Sequence, residues 1–391
     1  MATPKGEEAE QVGDAVEEGA SGEEAGLEVE ALLLDFKVEL SESVIALCVS
    51  PEDHTVAVGT IDDEIHIISR EKQGLSMKLE GHPGGVNSVA YLTETVLLSA
   101  GEDGTAAVWD LTTGGLLERH EVEGVDADRT PDGHTVSNIV VSEDGKSFAV
   151  SAGKSVHIIS MEKTELEEER HKVFPPVGAV VEDIKFLASG ELIAGYYGGV
   201  SIWSPLVGQT GVELPFKGNM LSVSATNDKR WIIAGCHDAT VHIWNLQENG
   251  NMQELTCGGY EGKVTNCAFD LSNRWMASTG GNRNVIWDFS GSGPAGSMPT
   301  IALGHSLPLT SQAWHATAPG ILATGGRDGR ICHFDVTTAR QDPAQPGPRL
   351  CFPCRMVRVG DDGVTAVAWG ADSRVVSGHE SGEVNFWATQ R

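Results

Sequence analysis

The 391-residue chain has no apolar run that approaches the roughly 20 residues a membrane-crossing helix requires. Its first residues, MATPKGEEAEQ, are acidic and hold no apolar stretch of the kind a secretory signal needs. No Asn-x-Ser/Thr acceptor occurs anywhere. These absences predict a cytoplasmic chain, with the nucleus as the alternative. Basic residues are scarce: 27 Lys and Arg stand against 56 Asp and Glu, a formal net charge of −29. Such an excess repels polyanions and anionic bilayers, so neither nucleic acid nor membrane is expected as a partner, whereas basic protein surfaces are. The plainer reading is that the charge keeps the chain soluble.

Ligand-bearing motifs are also missing. Seven cysteines are scattered, and Cys351-Phe-Pro-Cys354 is the one Cys-x-x-Cys. Residues three apart on a strand point to opposite faces, which suits zinc poorly, and no second pair exists to complete a site. The 13 histidines show no ligand spacing. "GSGPAGS" at 291–297 lacks the Gly-Lys-Ser/Thr ending of a phosphate loop. No metal and no cofactor is expected. Residues 1–29, rich in Glu, Gly and Ala and free of aromatics, cannot offset the entropy of ordering and are expected to form a disordered acidic tail. Residues 30–391 are expected to fold.

What is present is a repeat. Eight segments end alike: "EIHIIS", "TAAVWD", "SVHIIS", "GVSIWS", "TVHIWN", "NVIWDF", "RICHFD" and "EVNFWA", spaced 41 to 53 residues apart. Each is preceded by an alternating strand, such as "VNSVAY" or "VTAVAW", and by a small-apolar stretch, such as "VLLSAG" or "ILATGG". Four short strands per unit of about 40–45 residues is the signature of a β-propeller. Gly-His dipeptides at 81–82 and 304–305, Trp-Asp at 109–110 and 287–288, and the eight copies together resemble the WD40-repeat family over residues 31–391. The fold class expected is therefore all-β: a propeller of eight blades (seven as the alternative) with four antiparallel strands each. The resemblance also implies closure by an N-terminal strand, so Leu32–Leu40 is expected to pair as the outer strand beside residues 363–389.

The segment from Gly81 to Asp110 holds His82, Ser99 and Asp103, the residue types of a hydrolytic triad. The resemblance assigns them a structural role. In such repeats a His before the first strand, a Ser or Thr, a turn Asp and a Trp form a buried hydrogen-bonded tetrad, matched here by His82, Ser99, Asp103 and Trp109. His305, Thr324 and Asp328 match three positions in repeat 7, with Phe334 in place of the Trp. Repeat 5 keeps Asp238 and Trp244 but has Ala234 and no His.

By the same resemblance, residues that open the first strand or flank the turn Asp crown a partner-binding face. Those positions are Ile45, Ile61, Asn87, Glu102, Glu182, Leu221, His237, Thr265, Thr310, Arg327 and Thr365, with Tyr196, Tyr197 and Arg283 in equivalent turns. The function expected is a non-enzymatic scaffold, a monomer within a larger complex, binding proteins through these loops. Two alternatives stand beside it. "YGGVSIW", "GCHDATVHIW" and "LATGGRDGR" resemble bacterial WD40 proteins encoded beside CobW-type metal chaperones, which implies an accessory role in metal handling. A propeller channel can also host small-molecule catalysis, which needs convergent carboxylates or histidines at its mouth.

Overall fold

A computed structural model describes residues 29–123, 135–162, 170–204, 211–247, 250–341, 347–370 and 373–388. The expected acidic tail lies, apart from Val29, outside the described residues. Short apolar segments separated by glycine-bearing turns favour antiparallel meanders, and every repeat forms one. In repeat 2 the strands Val86–Thr93, Val96–Gly101, Thr105–Asp110 and Gly115–Glu121 pair in chain order. The two middle strands are almost wholly buried and the outer one alternates between half-buried and exposed.

The strands assemble into seven sheets, not the eight expected. Repeats 4 and 5 share one six-stranded sheet, because the strand Val212–Ala225 runs unbroken from the outer edge of one repeat into the innermost position of the next. The reason is local. Elsewhere this junction is a loop such as "GHPGG" (81–85) or "GHSLP" (304–308), whereas here it is only Lys217-Gly218-Asn219. Nothing in so short a link turns the chain out of the extended conformation. Two further sheets gain a fifth strand: Arg349–Cys351 pairs in parallel with Thr300–Ala302 of repeat 6, and Glu30–Ala31 pairs in parallel with Arg355–Arg358 of repeat 7.

The core sits as wedges between neighbouring sheets. One wedge packs Ala57, Ile65 and Ile67 of repeat 1 against Val86, Leu97 and Trp109 of repeat 2. Another packs Val376, Val384 and Phe386 of repeat 8 against Val44, Val56 and Ile68 of repeat 1, so the last sheet meets the first and the ring closes. Close approach at this seam requires glycine: a Cβ at Gly378 would lie 2.4 Å from a Val44 methyl. The terminal sheet is completed by Leu33–Glu39, antiparallel to Glu383–Ala388.

Candidate functional site: the loop face and its buried supports

Several turns on one rim are held by buried polar groups. In repeat 2, His82 is fully buried; its Nδ1 lies 2.8 Å from Asp103 Oδ1 and its Nε2 lies 2.7 Å from Ser99 Oγ. The Trp109 indole N–H donates to the same Ser99 hydroxyl at 2.8 Å. Burial lowers the imidazole pKa against the opposing pull of Asp103, so the ring is neutral, Nδ1–H donates to the carboxylate and Nε2 accepts from the serine. Ser99 is itself fully buried, which denies it a nucleophile's access to substrate. In repeat 7, His305 reaches Asp328 at 3.0 Å and Thr324 at 2.8 Å. Replacing His82 with Ala would take one hydrogen-bond partner each from Asp103, which keeps Arg119 and Thr105, and from the buried Ser99, which keeps Trp109, and a loss of about 1–3 kcal/mol is expected in denaturant unfolding. A loss below about 0.5 kcal/mol would show that the network does not support this turn.

Three repeats build the same junction with different residues, and the sequence reading missed them. In repeat 8 the histidine moves onto the second strand: His379 Nε2 lies 2.9 Å from Ser377 Oγ, which also accepts from Trp387 Nε1 at 2.9 Å, while Asp362 stands on the preceding loop with an oxygen 3.6 Å from His379 Nδ1. In repeat 6, Tyr260 takes the histidine's place, with its hydroxyl 2.7 Å from Ser278 Oγ. In repeat 4 the group is the buried Tyr196 and Ser201 with the exposed Glu213. Repeat 5 lacks a network, and the buried Trp244 Nε1 has no hydrogen-bond partner among the described residues.

Above these supports lies the face, and the backbone explains its composition. The first strand of repeats 1, 2, 4, 5, 7 and 8 carries a register shift at its opening, and the residue skipped is Ile45, Asn87, Glu182, Leu221, Thr310 and Thr365 respectively. A bulge of this kind lifts one side chain out of the alternating pattern and aims it off the sheet. Thr265 immediately precedes the corresponding strand of repeat 6. The turn residues sit beside them, tied back by their own amides: Ile61 N–H donates to Ser43 O, Glu102 to Gly85 O, His237 to Asn219 O and Arg327 to Pro308 O. Ser137 and Glu380 occupy the same two kinds of position and are exposed. Both were missed, although "VSNIVV" carries the register that marks Ser137.

Exposure divides the set. Ile45, Ile61, Glu102, Glu182, Tyr197, His237, Thr265 and Arg327 are exposed. Asn87, Leu221, Arg283, Thr310 and Thr365 are half-buried. Asn87 is spent on a neighbour, its amide donating to Val136 O at 3.1 Å across the sheet boundary. Tyr196, expected on the face, is buried instead, because its ring fills the space a histidine holds in repeat 2. Among the described residues no three His, Cys, Asp or Glu side chains converge to hold a metal. Cys351 and Cys354 spend their thiols on the carbonyls of Asp335 and His333. Among the described residues no helix is long and apolar enough to cross a membrane.

The WD domain, G-beta repeat family matches residues 74–110 and 213–245. The chain carries WD40 repeats. Similar proteins agree with this. Telomerase protein component 1 of Rattus norvegicus is 24% identical over 370 residues, which cover 89% of this chain but 13% of that protein. Actin-interacting protein 1 of Caenorhabditis elegans is 21% identical over 337 residues, 83% of this chain and 49% of that one. The guanine nucleotide-binding protein subunit beta of Zea mays is 22% identical over 281 residues, 63% of this chain and 70% of that one. The WD40 chain thus spans about an eighth of the length of the rat relative. Among solved structures, the computationally designed Ika8 protein superposes with a TM-score of 0.64 at 20% identity, covering 90% of this chain and 98% of that one, a likeness of fold alone.

Proposed function

We propose that this WD40 ring is a non-enzymatic scaffold that binds protein partners through the bulge-and-turn face. The observation that carries the reading is the exposure of large anchor side chains on a rigid frame. Ile45, Ile61 and Tyr197 are 43%, 55% and 56% exposed on backbone positions that bulges and turns fix in space. Aromatic, aliphatic and Arg side chains of this kind supply most of the energy at protein interfaces, and a preorganised frame reduces the entropy lost on docking. The partner expected is basic. Glu102, Glu182 and Glu380 share the face, and the whole chain carries −29. The names of the similar proteins, an actin-interacting protein and a nucleotide-binding protein subunit, are of the same interaction class. The cytoplasm, with the nucleus as alternative, remains the compartment proposed.

Affinity capture with the intact chain and with an Ile61→Ala/Tyr197→Ala/Arg327→Glu variant tests the face. Both proteins are first matched by circular dichroism and thermal melting. A defined set of partners is expected to be lost with the variant. An unchanged set would move the binding surface elsewhere.

A further inference from the structure

Repeat 4 departs from repeat 2 in a way that leaves a cavity. Its leading loop, Pro175-Pro176-Val177-Gly178, brings no histidine. Its hairpin carries Tyr196 at the register that Gly101 holds in repeat 2: Val181 pairs with Tyr196 as Val86 pairs with Gly101. A Cβ at Gly101 would lie 2.3 Å from the His82 Cβ, so a side chain here and a histidine on the loop exclude one another. In repeat 4 the Tyr196 hydroxyl donates to Glu213 at 2.6 Å and the Ser201 hydroxyl donates to the same carboxylate at 2.7 Å. Burial, then the nearby Glu213, push the Tyr196 phenol up to about 12, which keeps it a donor. Glu213 stands where repeat 2 has a cation: Ser201 pairs with Glu213 as Ala107 pairs with Arg119. Among the described residues no basic side chain pairs with Glu213, and residues 205–210, PLVGQT, contain none.

Beside this carboxylate is a cavity of about 290 Å³ lined by Pro175, Pro176, Tyr196, Trp203, Gly211 and Glu213 among others. Phe174 stacks on Trp203, with ring centroids 4.8 Å apart and planes at 9°, which fixes the indole. The chemistry is one-sided. Two hydroxyls hold the carboxylate in place without neutralising it, and proline and aromatic surfaces form the rest of the wall. An anion is repelled, and an apolar group would cover the carboxylate without compensation. A cation on an apolar stem satisfies both surfaces.

We infer that this cavity receives a lysine or arginine side chain of a protein partner, its head on Glu213 and its stem along Pro175, Pro176 and Trp203. The inference rests on the proposed scaffold role only for the source of the cation. Tyr197, on the loop face, is the next residue in the chain.

The test is ¹⁹F NMR of the full chain labelled with 5-fluorotryptophan, in which Trp203→Phe assigns one of nine resonances. The probes are a peptide of alternating Lys and Ser, the same peptide with Arg, and the N-acetyl amides of single Lys and Arg. The Trp203 resonance is expected to shift saturably with a peptide. Glu213→Gln is expected to weaken binding about tenfold or more, as loss of a charge-assisted contact does. Glu143→Gln removes an equal charge from an exposed site in repeat 3 and is expected to leave affinity within about twofold, since exposed charges act weakly at a distance. Saturation by the single amides as well assigns the site to cationic groups generally; saturation by peptide alone assigns it to side chains within a chain. A stationary Trp203 resonance, or equal losses in the two Gln variants, overturns the inference. The Ile61→Ala/Tyr197→Ala/Arg327→Glu variant keeps Glu213, so a failed face with an intact peptide shift separates the two readings.

Discussion

A chain lacking residues 1–40 is expected to be recovered unfolded or aggregated, whereas a chain lacking residues 1–28 melts with the full-length protein. The segment Leu33–Glu39 pairs with Glu383–Ala388 at six register positions, and Phe36 stacks on Phe386 with centroids 4.0 Å apart. Leu32 is buried between repeats 7 and 8. Just before it, Glu30–Ala31 pairs with Arg355–Arg358, and Glu30 reaches Arg355 at 2.9 Å. Burying each large apolar side chain contributes about 1.5–3 kcal/mol. Each ladder hydrogen bond contributes about 1 kcal/mol net. The combined loss is on the order of the whole stability of a domain, about 5–15 kcal/mol. It would also expose the third strand of repeat 8 as a bare edge, which invites aggregation. Thermal melts followed by circular dichroism, with size-exclusion profiles, check the pair of truncations. Equal melting temperatures for the two would sink the closure argument.

Acidification from pH 6.5 to 4 is expected to destabilise the ring severely. Three third strands carry a histidine at one register, "EIHIIS", "SVHIIS" and "TVHIWN", a fourth, "RICHFD", carries one a residue later, and all four side chains are buried. Burial lowers the pKa of His66, and lowers those of His157, His242 and His333 to about 4. His157 suffers further from His171, whose Nε2 is 2.8 Å away, and His333 from the neighbouring Arg355 and His315. Phe216 lies over His242 with centroids 3.9 Å apart. The sign is that of a base held neutral. An unfolded imidazole takes its proton near pH 6.5 and the folded His157, His242 and His333 only near 4, so between those values the unfolded state binds more protons. Stability is therefore full above 6.5 and falls as the pH drops towards 4. With about 1.4 kcal/mol per pH unit of displacement, each of the three contributes roughly 3 kcal/mol, enough together to unfold a typical domain. Denaturant unfolding at pH 7 and 4.5 checks this. A His157→Gln/His242→Gln/His333→Gln variant is expected to lose much less stability over that interval than the natural chain. Parallel losses would assign acid sensitivity to the carboxylates.

These expectations differ in how much of them is written in the sequence. Repeat 2 is legible because its His82, Ser99, Asp103 and Trp109 fall at fixed offsets and meet as the offsets require. Repeat 8 is not, because Asp362 stands on the loop and His379 on the strand, the reverse of repeat 2, and an offset search passes over both. Tyr260 and Tyr196 are hidden for a related reason: a phenol replaces an imidazole, and only packing shows that the same volume is filled. The number of sheets depends on whether a three-residue junction bends, and the repeat pattern does not mark that Lys217-Gly218-Asn219 stays extended. The added strand Arg349–Cys351 is non-local, reaching back to Thr300–Ala302, and no periodicity marks it. The face is legible through its repeat positions, but the burial of Tyr196 follows from the absence of a histidine on the loop before the first strand, a contact that is remote in sequence.

The interchange of partners between loop and strand fixes what counts as a portable unit in this ring. A histidine before the first strand demands a glycine on the second, and a histidine or tyrosine on the second demands a loop without one. A graft that moves a meander without the loop before it would bring Gly101 opposite Pro176, leaving a hole, or Tyr196 opposite His82, forcing a collision. Exchanges among the repeats, or circular permutations that reopen the ring, should therefore be cut at the end of the outer strand, upstream of the loop. Cuts placed at the first strand, where the sequence repeat begins, would separate the two halves of a lock.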